Sequence, residues 1–428
     1  MTQIASALAS LVVFALLALS PAGEARSTVQ PPIASDAMGI RRCNPAVHHL
    51  ILYDYSPATP VYLSTFTGFA ISPHHVVTTY LNTARYARYS QQKIFMHNAN
   101  GILSEVFVQY IDIFSGLALL YSPTEMKPYI GESDLSTHLP FNGETVKVLS
   151  PLGDSTNLMP AVYLGNSNDL IHEAYTVRSA NLPVGNTASG SLLINHFGKI
   201  AGMYRSPMAL AASEEIVPGK AFSYLFAKAR SLGQQVPPSE GIHQQLLHQI
   251  QALQKRIVSV LMIPPQKQTL RVGSWSVTNL ATYFSCHTSG EGGATNVTCE
   301  PQNPILLDDH TIGLQLRLIF SDISAKNGQD LSQLIASNDT YIRNFFQNQP
   351  LTCRQSRIAL DFSSDNQVHL CVLKNNMIDG AFDSVFRFAS ALHDHHSIYG
   401  ELFLTGFDEA QNKLLAKIFT GLISPGVQ

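Results

Sequence analysis

Short apolar segments separated by turn residues fill the chain between residues 40 and 235, and this pattern constrains the fold more than any other feature. The segments are His48–Tyr55, Val61–Ile71, Val76–Leu81, Lys93–His97, Leu117–Tyr121, Thr145–Leu149, Ser191–Ile194 and Ile200–Tyr204. Strands of this length at this spacing predict a β-sandwich or a β-barrel. Because 45% of the residues are apolar and only 13% are charged, intrinsic disorder is excluded.

The charge of the chain is close to neutral. Lys and Arg number 27 against 30 Asp and Glu, which gives a formal net charge of −3, and no block of like charges occurs. Proteins that bind nucleic acids carry a basic face or stripe. We therefore predict no nucleic-acid partner, and the sequence predicts no cofactor.

The N-terminal residues form a different kind of sequence. Residues from Ile4 to Leu19 are almost all apolar, and the small residues Ala22 and Ala25 follow them. This pattern predicts a secretory signal peptide over residues 1–25, although no Lys or Arg precedes Ile4. A transmembrane anchor is the alternative, but roughly 16 apolar residues are fewer than the ~20 that a spanning helix needs. We expect an exported protein, periplasmic or secreted, with no membrane association after cleavage.

The cysteines fit an oxidising compartment. Cys286, Cys299, Cys353 and Cys371 lie in the last third of the chain, and Cys43 stands alone near the start. Four cysteines allow three pairings; we favour neighbouring pairs, Cys286 with Cys299 and Cys353 with Cys371, because each pair flanks a predicted strand and turn. Each bridge would stabilise the fold by about 2–4 kcal/mol. The spacings are not Cys-x-x-Cys, so no metal site is predicted. Cys43 is interpreted as a free thiol, with intermolecular pairing as the alternative.

Two proline pairs bracket an amphipathic segment at residues 236–265. Apolar residues recur at helical spacing, at Leu246, Ile250, Leu253, Ile257 and Val260. This spacing predicts a helix. The helix either docks onto the chain's own domains or forms a short coiled coil that makes a homodimer through residues 239–263.

The remaining residues, 266–428, combine strand-like and helical patterns and predict an α+β domain. The strand-like segments are Leu270–Tyr283, Ile312–Phe320, Ile358–Phe362, Val368–Leu373 and Ile398–Thr405. The helical segments are Leu331–Phe346, Phe382–Leu392 and Glu409–Leu422. No family signature is present in this region.

The first of three informative segments is Gly68-Phe-Ala-Ile-Ser-Pro-His-His-Val-Val-Thr-Thr-Tyr-Leu-Asn82. It resembles the hairpin of the trypsin-like (chymotrypsin and HtrA-like) serine proteases, which ends in Val-Val-Thr-Ala-Ala-His. Counting without a gap places Leu81 at the position of the catalytic histidine. The second segment, Asp112-Ile-Phe-Ser-Gly-Leu-Ala-Leu-Leu120, is similar to the family's Asp-x-x-Ser-Asp-Leu-Ala-Leu. Gly116 occupies the position of the aspartate that orients the histidine.

The third segment is Gly185-Asn-Thr-Ala-Ser-Gly-Ser-Leu-Leu-Ile-Asn-His-Phe-Gly-Lys-Ile-Ala-Gly202. It resembles the family's nucleophile segment, and Ser189 falls on the nucleophile. The resemblance implies an oxyanion hole built by Thr187 and Ser189. A shifted register would place Thr187 at the nucleophile, but it needs two extra residues before Gly198. The three segments occur in the family's order, and the resemblance as a whole extends over about residues 60–235.

The resemblance implies an all-β two-barrel trypsin-like domain at 40–235, followed by a linker helix at 236–265 and the α+β domain at 266–428. It also implies lost chemistry. A serine hydroxyl becomes a nucleophile only when a nearby base takes its proton. Leu81 can take no proton and Gly116 can orient no base. We therefore predict an inactive protease homologue that acts by binding a protein or peptide.

Two alternatives remain open. An active serine endopeptidase would need a displaced base for Ser189, and His74, His75, His172 and His196 lie in the same domain. The other alternative is a binding function that resides in the C-terminal domain. The histidine-rich segment at 393–396 is interpreted as a solvated connection, because one local cluster on a loop fixes metal geometry poorly.

Overall fold

The computed structural model describes residues 46–56, 58–88, 91–97, 103–152, 155–168, 173–178, 189–205, 214–262, 269–272, 275–278, 285–291, 294–300, 305–306, 312–324, 352–360, 363–375, 378, 380–391 and 396–425. The predicted signal peptide at 1–25, Cys43, His172, Thr187 and the predicted helix Leu331–Phe346 lie outside these residues. All of the described residues belong to one compact unit.

The first six strands close into an antiparallel barrel. They are β1 (Val47–Asp54), β2 (Val61–Ser72), β3 (His75–Thr79), β4 (Gln92–His97), β5 (Leu103–Asp112) and β6 (Leu117–Tyr121), and helix α1 (Tyr80–Arg88) lies between β3 and β4. The spatial order is β1-β2-β3-β6-β5-β4. Side chains alternate between the two faces of a strand, and Leu50, Phe66, Ile94, Val106 and Leu120 are buried together in one apolar cluster.

The next six strands close into a second barrel. They are β7 (Thr145–Leu152), β8 (Ser155–Asn168), β9 (Glu173–Arg178), β10 (Leu192–Ile194), β11 (Ile200–Arg205) and β12 (Glu214–Pro218), and helix α2 (Lys220–Leu232) follows them. Their order is β10-β11-β12-β9-β8-β7. Val146, Val148, Ala161 and Leu193 form part of its core. Two closed barrels confirm the fold that the resemblance implies.

The two barrels share an apolar interface. Phe69 and Leu119 of the first barrel pack in one buried cluster with Leu192 and Met203 of the second and with Phe222 of α2. Burial of a large aliphatic or aromatic side chain stabilises a fold by roughly 1.5–3 kcal/mol. The interface therefore holds loops of both barrels in a fixed relation, which the candidate site requires.

Helix α3 spans Ser239–Met262. Its apolar face is buried in the cluster that also contains first-barrel and C-terminal residues, and Ile242, Leu246, Ile250, Leu253 and Ile257 lie on this face. Homodimerisation through residues 239–263 remains a prediction.

Gln249 joins α3 to the first barrel through its side-chain amide. The amide nitrogen donates to the Ile111 carbonyl, 2.5 Å away, and the amide oxygen accepts from the Ile113 N–H at 2.8 Å. Among the described helices, none is long and apolar enough to cross a bilayer.

The C-terminal residues form two sheets and a helix. The elements are β13 (Thr269–Val272), β14 (Trp275–Thr278), β15 (Ser285–Glu291), β16 (Ala294–Glu300), β17 (Ile305–Leu306), β18 (Ile312–Ser324), β19 (Thr352–Leu360), β20 (Ser363–Lys374), β21 (Ala381–Ala391), β22 (His396–Asp408), α4 (Glu409–Gly421) and β23 (Ile423–Pro425). The large sheet has the order β15-β16-β18-β22-β21-β20-β19, and β17 pairs with β18. Phe419 of α4 packs edge-to-face on Phe388 of β21, with ring centres 5.5 Å apart.

One predicted helix is a strand. The segment Phe382–Leu392 was predicted to be helical, but Ala381–Ala391 forms β21 in the interior of the sheet, between β20 and β22. Residues 384–389 are all buried, so both faces of this strand are covered. The buried residues include Ser384 and Arg387, so the segment has no strict alternation of apolar and polar residues, and its periodicity does not identify it as a strand.

The two predicted disulfides are confirmed. Cys286 and Cys299 are direct partners of β15 and β16, and Cys353 and Cys371 are direct partners of β19 and β20. Because β15 and β19 are the two edge strands of this sheet order, each bridge fastens an edge strand to its neighbour. Edge strands are the least protected part of a sheet.

Candidate active site

Ser189 lies in a turn where the two barrels meet. Its side chain is 1% exposed. Its carbonyl accepts the backbone N–H of Thr67 in β2, at 2.9 Å, and the next residue, Gly190, donates its N–H to the carbonyl of Tyr204 in β11, at 2.8 Å. One turn of the second barrel is therefore tied to strands of both barrels.

Two side chains from the end of β3 and the start of α1 hold the Ser189 hydroxyl. Thr79 Oγ1 lies 3.0 Å from Ser189 Oγ. The Asn82 side-chain amide donates to Thr79 Oγ1 at 2.7 Å and to Ser189 Oγ at 3.3 Å. An amide N–H is only a donor and a threonine hydroxyl is a poor base, so neither neighbour can take the serine proton at neutral pH.

The Leu81 side chain has no atom that could form a hydrogen bond with the Ser189 hydroxyl. Strand β3 ends at Thr79, two residues before the predicted end, and Leu81 lies in α1. Its side chain is half-buried against the apolar core of the first barrel. The neighbouring side chain that reaches Ser189 belongs to Asn82, one residue later. Sequence analysis missed Thr79 and Asn82, because ungapped counting drew attention to position 81 alone.

Gly116 lies close to a buried arginine. Its carbonyl accepts the Tyr80 N–H at 3.0 Å, which joins the turn before β6 to the start of α1. Its φ is +75°, a left-handed conformation. A Cβ placed on Gly116 would lie 3.1 Å from an Nη of Arg205, a residue that is 3% exposed. A carboxylate at this position would therefore meet the Arg205 guanidinium.

The histidines nearest in sequence are engaged elsewhere. His74 Nδ1 donates to the Ser122 carbonyl at 3.0 Å. His75 Nε2 donates to the Gly233 carbonyl at 2.9 Å, and its Nδ1 accepts the Ser72 hydroxyl at 2.7 Å. Burial lowers the pKa of the His75 imidazole below its usual value. Its two hydrogen bonds make the ring part of the link between the first barrel and the end of α2.

His196 lies in the turn after β10. Its Nδ1 is 2.5 Å from the Glu144 carboxylate. His172 and Thr187, the predicted oxyanion-hole residue, lie outside the described residues, as do residues 393–395 of the histidine-rich segment. Within the described part of the chain, no histidine hydrogen-bonds to Ser189.

The hydrogen bond from the Thr67 N–H to the Ser189 carbonyl joins the two barrels. The described strands β1 to β12 form two closed six-stranded barrels, the fold that the resemblance to the trypsin-like proteases implies. Ser189 occupies the junction of the barrels, and the loop that carries Gly116 adjoins the start of α1 through Tyr80.

Comparisons with known proteins gave matches only to solved structures. No protein-family model and no curated protein matches the chain. The crystal structure of the active form of the Rv3671c protease from M. tuberculosis is 17% identical, with a TM-score of 0.37, and the match covers 49% of this chain and 90% of that one. The crystal structure of Deg5 is 18% identical, with a TM-score of 0.35, and the match covers 44% and 91%. The fold assignment rests on the two barrels themselves.

Proposed function

We propose that this chain is an exported, catalytically inactive protein of the trypsin-like protease fold, and that it acts by binding a protein or peptide. One observation carries the proposal. The Ser189 hydroxyl is hydrogen-bonded to Thr79 and Asn82, neither of which is a base.

The expected loss of activity is large. Serine proteases depend on the histidine base, which takes the serine proton and later gives it to the leaving group. Removing the nucleophile or the base lowers kcat about 10⁶-fold. The remaining rate is roughly 10³–10⁴-fold above that of the uncatalysed reaction. The burial of Ser189 adds to this loss, because a residue that is 1% exposed presents almost no surface to a substrate carbonyl.

Export is proposed from the predicted signal peptide together with the disulfides. Both cysteine pairs of the C-terminal sheet are bridged. Structural disulfides form and persist in oxidising compartments. The bridges are therefore compatible with a periplasmic or secreted protein.

Exposed aromatic side chains support a binding role. Tyr53 packs against Tyr55, Tyr62 and Phe95 on the first barrel, with ring centres 5.8 to 6.5 Å apart. Tyr62 is 54% exposed and Tyr55 is 40% exposed. Tyrosines supply large apolar contacts with a polar end, and they are enriched in protein interfaces.

Capture of uncleaved peptides tests the binding half of this proposal. The full chain is incubated with a library of unstructured peptides, bound peptides are separated by gel filtration, and their masses are measured. We expect the wild type and Ser189→Ala to retain the same intact peptides. Fragments produced by the wild type and absent with Ser189→Ala would show an active peptidase. Retention of no peptide by either protein would contradict peptide binding.

Restoring the two missing catalytic residue types is not expected to restore activity. In a Leu81→His, Gly116→Asp double variant, the imidazole would start from a position packed on the apolar core. The new carboxylate would meet Arg205, whose Nη lies 3.1 Å from the Cβ position. Asp tolerates the left-handed conformation better than most residues, so the variant should fold. We expect no covalent labelling of Ser189 by a fluorophosphonate probe; labelling that a further Ser189→Ala change abolishes would overturn the account of positions 81 and 116.

A further inference from the structure

A histidine lies beside one of the two disulfides. Cys353 and Cys371 face each other across β19 and β20, and His369 is two residues before Cys371 in β20. Side chains two residues apart in a strand share a face, and His369 Nε2 is 3.9 Å from Cys371 Sγ. The two sulfurs and one ring nitrogen all lie within 4.8 Å of one another.

This spacing approaches that of a tetrahedral metal site. Zinc binds thiolate sulfur at about 2.3 Å and imidazole nitrogen at about 2.0–2.1 Å, so ligand atoms of one ion lie roughly 3.5–3.8 Å apart. Two thiolates and one imidazole make a three-ligand set that leaves a fourth position for water. The bridged sulfurs cannot act as thiolates, so the ligand set exists only after the bridge is reduced.

We propose that reduction of the Cys353–Cys371 bridge creates a zinc site with His369 as the third ligand. A dithiol reductant gives two electrons and two protons to the bridge. The S–S bond breaks, two thiols form, and the dithiol becomes its own disulfide. Zn²⁺ then displaces both thiol protons and binds the two sulfurs and the imidazole.

The position of the bridge in the sheet suits this exchange. Cys353 is exposed on the edge strand β19, where a reductant can reach it, and Cys371 is buried. Arg387 of β21 is the cross-strand neighbour of His369 and brings a positive charge to this face. Its Nε lies 2.9 Å from the Glu401 carboxylate. This ion pair neutralises the positive charge of Arg387, which would otherwise repel a bound cation.

The other bridge provides an internal control. Cys286 and Cys299 are also direct cross-strand partners. The histidine beside this pair, His287, adjoins Cys286 in the chain and so projects from the opposite face of β15. Among the described residues, the only group of three metal-ligating side chains is Cys353, His369 and Cys371. Reduction of the Cys286–Cys299 bridge should therefore create a pair of thiols without an imidazole beside them.

Cobalt binding to the reduced full chain tests the proposal. The protein is reduced with a phosphine, the reductant is removed without oxygen, and Co²⁺ is added as a spectroscopic substitute for zinc. We expect one Co²⁺ per chain, with sulfur-to-cobalt charge-transfer absorption and the visible bands of a tetrahedral ion. A Cys286→Ser, Cys299→Ser variant should keep this spectrum, and a Cys353→Ser, Cys371→Ser variant should lose it. The oxidised wild type should not show it.

The role of His369 is tested separately. His369→Gln should weaken Zn²⁺ binding at least about tenfold. Removing a residue that only hydrogen-bonds to a metal ligand already weakens metal binding about 10–100-fold, and a ligand itself should matter at least as much. Thiol counting before reduction checks that the variant forms both bridges, and far-UV circular dichroism checks that it is folded. Saturating Zn²⁺ should also slow glutathione-driven reoxidation of Cys353–Cys371, and not of Cys286–Cys299, because a ligand that binds one state stabilises it. Equal metal affinity in His369→Gln, or no metal binding by the reduced wild type, would overturn the proposal.

Discussion

Replacing Gly190 by alanine is expected to lower the free energy of unfolding by roughly 4 kcal/mol or more, the range reserved for severe steric and backbone damage. A Cβ on Gly190 would lie 1.8 Å from the Thr67 carbonyl oxygen and 2.6 Å from its carbon. Both atoms belong to the backbone of β2, so no side-chain rotation relieves the clash. Its φ of +95° adds strain for any other residue. The backbone movement needed to relieve the clash would break the Thr67–Ser189 hydrogen bond that joins the barrels.

Gly143→Ala is the matched control for this prediction. Gly143 has a φ of +83°, and a Cβ there would meet nothing within 4 Å. The backbone strain is similar and the clash is absent, so the expected cost is about 1–2 kcal/mol. Urea unfolding followed by far-UV circular dichroism measures both variants. Equal losses in the two would show that the close approach at Gly190 does not hold the barrels together.

Glu401→Gln is expected to cost about 3–5 kcal/mol of stability, because it leaves a buried arginine without its counter-charge. Arg387 is 0% exposed and Glu401 is 3% exposed, and the two are direct partners of β21 and β22. The Glu401 carboxylate also accepts the Tyr399 hydroxyl. Replacing both charges, as Arg387→Met with Glu401→Leu, should cost much less, since an apolar pair of similar volume leaves no buried charge.

The surface pair Lys413–Glu409 supplies the comparison for the buried pair. Its atoms are 2.6 Å apart on the exposed side of α4. Glu409→Gln should leave stability unchanged within error, because water screens exposed ion pairs. The same urea experiment measures all three variants. A loss for Glu401→Gln no greater than that for Glu409→Gln would contradict the role assigned to the buried pair.

Local patterns predicted much of the barrels and the cysteine pairing. Leu117–Tyr121 was predicted as a strand and forms β6 over the same residues. The two bridges join neighbouring cysteines because each pair lies on adjacent antiparallel strands, which places close sequence neighbours opposite each other. Where a short apolar segment is bounded by turns, as Leu117–Tyr121 is, sequence and structure agree.

Tertiary context decided the remaining elements and the site. The strand Ala381–Ala391 has a helix-like pattern, and only its place between two other strands gives its conformation. The neighbours of Ser189 are 110 residues away at Thr79 and 107 residues away at Asn82. Motif counting finds Ser189 from its own segment. It cannot show which side chain of α1 turns toward that hydroxyl, because this depends on where β3 ends.

Covalent labelling tests most directly whether Ser189 lacks a base, which is what its neighbours among the described residues indicate. The purified full chain is treated with a fluorophosphonate probe, which reacts with activated serines, beside its Ser189→Ala variant and a trypsin-like protease as the positive control. Mass spectrometry measures the labelled fraction. We predict no labelling of the wild type under conditions that saturate the control. Stoichiometric labelling that disappears in Ser189→Ala would contradict the account, and the base would then have to lie among residues outside those described, where His172 is the first candidate.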